Sequence, residues 1–112
     1  MPAMSWGSGS GEVGTTLLNV FVTPDAVKGR GPANWGGYSN PAFDTLVEQA
    51  VTTIDDAARE RLLVQATVML ADDVAYIPLY SLINSWASKR SVIFEARPDQ
   101  FNFAASARPA TD

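Results

Sequence analysis

Apolar positions from Asn40 onward recur at helical spacing, with Phe43, Leu46, Val47, Ala50 and Val51 on one stripe and Asp44, Glu48 and Gln49 on other faces. Asn40 followed by Pro41 reads as the helix entrance. The Asn side chain accepts a free backbone N–H, and proline at the first helical position gives up a donor that has no partner. A second stripe, Leu62, Ala66, Met69 and Leu70, follows Asp55 or Asp56 as its cap. Together these predict a helical hairpin over about 40–53 and 55–73. Before it, residues 1–39 form a glycine-rich loop region broken by one apolar run, Leu17 to Val22. That run predicts a short helix capped by Thr15 or Thr16 and stopped by Pro24 and Asp25, although its Leu, Val and Phe suit a strand nearly as well.

Beyond the hairpin the period changes. Ala75 to Tyr80 is apolar and aromatic, and Pro78 inside it denies one ladder hydrogen bond, which points to an edge or a bend. Leu82 to Lys89 alternates loosely and predicts a strand. Ser91 to Phe94 and Phe101 to Ala104 predict further short strands around the turn-forming Arg97, Pro98 and Asp99, and Ala105 to Asp112 reads as a tail. The expected class is therefore α/β, with helices first and short strands after them.

At 112 residues one modest core is expected, and 46% hydrophobic with 18% charged residues is an ordinary globular balance. A formal charge of −4 offers no basic stripe for phosphates, so nucleic acid is not an expected partner. No apolar run is long enough to span a bilayer, and the first residues lack the charged and apolar regions of an export signal. With neither cysteine nor histidine, thiolate catalysis, imidazole bases and the usual zinc ligands are all missing. A cysteine-free composition also fits an exported protein.

The motifs that carry chemistry elsewhere dissolve on inspection. Gly9 to Gly14 spells a dinucleotide fingerprint, but no strand precedes it and Glu12 places negative charge where phosphates would sit, so a flexible loop is the better reading. Asp55 and Asp56 belong at a helix start, and Asp72 and Asp73 near a helix end, with no nucleophile beside either pair. No acidic loop organises a hard metal. A carboxylate hydrolase would need two carboxylates converging in a cleft. Trp6, Trp35, Tyr38, Tyr80 and Trp86 are a rich aromatic set; Trp6 is favoured as a ligand wall, with Trp86 balanced between ligand and core. No catalytic residue, metal or cofactor is expected.

The ordered series Trp6, Asn34, Tyr38 to Leu46, Asp55 to Leu70 and Ile77 to Tyr80 resembles the C-terminal part of the family 5 extracellular solute-binding proteins, the peptide- and nickel-binding subunits of ABC importers. The resemblance spans roughly residues 4 to 104, and its specificity lies in order and spacing. It implies part of a bilobal type II periplasmic-binding-protein fold, of which this chain would supply about the last quarter, with residues 75–104 leading to the other lobe. It implies a periplasmic or cell-surface location, a small solute such as an oligopeptide, and ABC permease subunits as partners. The implied ligand-binding residues are Trp6, Ser8, Gly9, Asn34, Leu82 and Asn84. One departure bears on the ligand: peptide-binding members often carry an Asp three residues after the early Trp, where this chain has Gly9. Glu12 could replace that carboxylate only if its loop folds inward. Such a piece is expected to bind weakly alone and to self-associate through uncovered apolar surface. The rival expectation is a stand-alone interaction domain that docks a partner through its amphipathic hairpin.

Overall fold

A computed structural model describes residues 3–97 and 99–110. The chain is a mixed α/β structure that divides into two compact units, Met1–Pro78 and Leu79–Asp112.

The first unit holds three helices, α1 (Val13–Val20), α2 (Pro41–Thr52) and α3 (Asp56–Asp72). The hairpin forms as its sequence dictates. Asn40 Oδ1 accepts the N–H groups of Ala42 (3.0 Å) and Phe43 (3.3 Å), and Asp55 Oδ1 accepts that of Ala58 at 2.7 Å. Both helices bury residues one turn apart, Phe43, Val47 and Ala50 against Leu63, Ala66 and Leu70, and Leu17 and Val22 complete the cluster. Phe43, Val47, Ala50 and Ala66 lose all exposure, so this cluster supplies the unit's main hydrophobic stabilisation.

Two local details differ from the pattern. The buried stripe of α3 is centred on Leu63, while Leu62 and Met69 pack along its margins. Helix α1 starts earlier than expected, at Val13 after Glu12, and Thr15 and Thr16 lie inside it without capping it. The loop after α1 folds back onto it, Gly31 N–H reaching Leu18 O at 3.0 Å and Ala33 N–H reaching Asn19 O at 2.9 Å. Gly31 has φ +58°, and a Cβ there would lie 2.3 Å from Val22 O, so the fold requires glycine at this crossing.

Helix α3 ends in a Schellman arrangement. Ala75 N–H bonds to Leu70 O (3.0 Å), Val74 N–H bonds to Ala71 O (3.1 Å), and Ala75 packs back on the core. The left-handed position is occupied by Val74 at φ +50°, a β-branched residue where glycine is usual.

The second unit contains two three-residue strands, β1 (Val92–Phe94) and β2 (Ala107–Pro109), which pair antiparallel with Ile93 opposite Arg108. A single 3₁₀ turn, Ala104–Ser106, leads into β2. The strand expected over Leu82 to Lys89 does not form, and that over Phe101 to Ala104 is replaced by extended chain entering the turn. The strand expected over Ser91 to Phe94 forms as β1, and its partner β2 lies in the stretch read as a tail. The reason is pairing: Leu82 is 55% and Ile83 92% exposed, so the alternation has no covered face, and no neighbouring strand among the described residues takes its backbone groups.

Candidate functional site

The six expected ligand residues occupy three settings. Trp6, Ser8 and Gly9 lie on the irregular segment that bends into α1. The Trp6 ring is 45% exposed and Gly9 faces open space, while Ser8 Oγ donates to Glu12 O at 2.7 Å and so helps shape the helix entrance. Leu82 and Asn84 are exposed on an irregular stretch of the second unit.

Asn34 is different, at 9% exposure. Its amide nitrogen is shared among the carbonyl oxygens of Phe21 (3.3 Å), Val22 (3.0 Å) and Tyr38 (2.8 Å). An amide with all its donors committed to backbone holds a loop in place, which is the role the structure gives this side chain.

Two polar clusters that sequence reasoning did not assemble organise the first unit. At one end of the hairpin, Tyr38 Oη donates to Asp73 Oδ2 at 2.6 Å and Asn40 Nδ2 donates to the same oxygen at 2.9 Å. Burial, reinforced by the hydrogen bond to Asp73, pushes the Tyr38 phenol up to about 12, and the donors from Tyr38 and Asn40 hold the Asp73 carboxyl below its ordinary value. Asp73 thus acts as an acceptor tying a loop to both helices. At the other end, Arg59 Nε reaches Glu12 at 2.8 Å, its Nη2 reaches Asp56 at 2.6 Å, and its Nη1 donates to Thr53 O at 3.3 Å. Burial alone would lower the guanidinium, but the hydrogen bonds and charges of Glu12 and Asp56 outweigh it and raise it. Glu12 is therefore engaged with Arg59, 47 positions away. Nothing in the local pattern pairs them; the only sequence signal is Arg59 one turn after a helix-starting Asp.

A groove of about 580 Å³ opens beside this second cluster, between the start of α1 and the outer face of α3. Val13, Leu63, Val64 and Val68 form its apolar wall, and Glu12, Asp56, Arg59 and Glu60 its charged rim. A second groove of about 430 Å³ lies over the end of α2, with Leu18, Lys28, Arg30 and Glu48 in its lining. Trp6, Ser8, Gly9 and Asn34 lie outside both linings. Among the described residues no group of three or more Asp or Glu is placed to hold a metal ion, and no helix is long and apolar enough to cross a membrane.

Comparison with known proteins finds short partial similarities. The chain is 30% identical over 71 residues to the periplasmic oligopeptide-binding protein OppA of Salmonella typhimurium, and 28% identical over 71 residues to OppA of Escherichia coli. It is 33% identical over 73 residues to an uncharacterized lipoprotein of Mycobacterium tuberculosis. The matched segments take in 63 to 65% of this chain but only 12% of each relative. No family profile and no solved structure matches the chain.

Proposed function

We propose that this chain is the C-terminal part of a solute-binding protein that captures an oligopeptide or related small solute outside the cytoplasmic membrane and hands it to an ABC permease. The observation that carries this reading is the 71-residue similarity to OppA, a periplasmic oligopeptide-binding protein by name. The motif order agrees with it: Asn40 and Pro41 open α2, and Asp55 opens α3. The role is binding rather than catalysis. Trp6 would pack on the apolar part of the solute, and the backbone at Ser8 and Gly9 would offer hydrogen bonds. Asn34 would serve by fixing the loop that carries Trp35 and Tyr38.

The exposed apolar side chains of the second unit, among them Leu79, Tyr80, Leu82 and Ile83, suit a segment that packs within a larger receptor. Isothermal titration of the complete gene product against peptide pools, small cations and nickel chelates tests the proposal. Heat on addition of peptides, lost on Trp6→Ala, is the expected outcome. Null heats with every solute class would remove it.

A further inference from the structure

The groove between the start of α1 and the outer face of α3 has the features of a docking surface. Its apolar wall is not spent on the core: Val64 is 54%, Val68 53% and Val13 39% exposed, while Leu63 beneath them is buried. The hydroxyl of Thr67, in the same lining, is already satisfied by Leu63 O at 2.8 Å, so the wall offers no free donor there. Around it stand three carboxylates, Glu12, Asp56 and Glu60, against one guanidinium. That guanidinium, Arg59, is held by Glu12 and Asp56, which leaves Glu60 outside the ion-paired set. Apolar positions at Leu63, Val64 and Val68, with Glu60 one turn before the first two and Glu12 and Asp56 at the groove's end, match a partner with an apolar stripe and a flanking cationic row.

We propose that this groove docks a basic amphipathic helix of another polypeptide, its apolar face on Val64 and Val68 and its Lys or Arg side chains on Glu60 and the Glu12–Asp56 rim. A helix suits the site because the lining follows α3 from Asp56 to Val68, about 18 Å at ~1.5 Å per residue, and helix-in-groove recognition uses anchors at this spacing. Charge chooses the partner. A second copy brings no cationic helix: α1 is uncharged, α2 carries Asp44 and Glu48, and the arginines of α3 sit among Asp56, Glu60 and Asp72.

The test titrates the whole chain with a labelled Leu/Lys amphipathic peptide and with the same peptide carrying Glu in place of Lys, following anisotropy and backbone amide shifts. The Lys peptide is expected to bind with shifts concentrated on Val13, Glu60, Val64 and Val68, and the Glu peptide to bind at least about tenfold more weakly. Glu60→Lys should weaken the Lys peptide about fivefold, and Val68→Asp more than about tenfold. Val64→Ser provides a third groove variant, and Val27→Asp, at a 97% exposed site outside the groove, should change nothing. Circular dichroism checks that each variant stays folded. Absence of binding by the Lys peptide, equal binding of the two peptides, indifference to all three groove variants, or shifts centred elsewhere would each overturn the proposal.

Discussion

The two units of this chain share a similar supply of apolar side chains and use them in opposite ways. In Met1–Pro78 those residues sit at helical spacing on capped helices, and Phe43, Val47, Ala50, Leu63, Ala66 and Leu70 vanish into one cluster. In Leu79–Asp112, Leu79, Tyr80, Ile83, Phe101 and Phe103 all stay at least half exposed, and the regular structure is a pair of three-residue strands. A helix satisfies its own backbone and needs only one face covered, whereas a strand needs a neighbour before its side chains can be buried. Local contacts stand in for it in the second unit: Trp86 Nε1 donates to Asn102 at 2.9 Å, and Arg97 pairs with Asp99 and lies 5.2 Å over the Phe103 ring.

The sharpest way to break this contrast is to remove one phenyl ring from each unit. Phe43→Ala should cost about 3–5 kcal/mol, read as a fall in the urea midpoint, while Phe101→Ala, at a 59% exposed site, should cost under about 1 kcal/mol. Equal losses would mean that the second unit has a core of its own. Gly31→Ala forces a Cβ against Val22 O at a left-handed position and should cost about 2 kcal/mol or more, measured the same way.

A change in the other direction sharpens the contrast. Val74→Gly relieves the left-handed valine that closes α3 and should stabilise the first unit by about 1 kcal/mol, seen as a higher melting temperature. Smallest is the effect of pH on the Tyr38–Asp73 pair. Because Asp73 is held below its ordinary 3.8, the unfolded chain takes up that proton first, and stability present at neutral pH falls as pH drops below about 4. Because Tyr38 is raised from 10.0 to about 12, the unfolded chain loses that proton first, and stability falls as pH climbs from 10 toward 12. Tyr38→Phe should flatten both limbs in urea titrations run across pH.

The hairpin was legible because each helix carries its own start signal and its own stripe, so nothing distant was needed to find it. The phase of α3 was harder, since Leu62 and Leu63 both fit a stripe with Ala66 and Leu70, and only packing against α2 chooses Leu63. The start of α1 depends on Glu12 meeting Arg59, and β2 depends on Val92–Phe94 across a turn, so neither boundary is written in its neighbourhood. Over Leu82 to Lys89 the alternation was real and the neighbour it requires was not found among the described residues. Of the expected ligand residues, Asn34 shows the same limit. An asparagine in a glycine-rich loop gives no local sign of the three carbonyls its amide nitrogen reaches, and only the folded loop brings them together.

Arg59 has a consequence for how the first unit breathes. One side chain clasps the residue that begins α1, the peptide that closes α2 and the first turn of α3. A fluctuation that frees any of these three ends loosens the guanidinium's hold on the others. Fraying at the start of α1 and at the α2–α3 link is thereby coupled into one cooperative event instead of two independent ones.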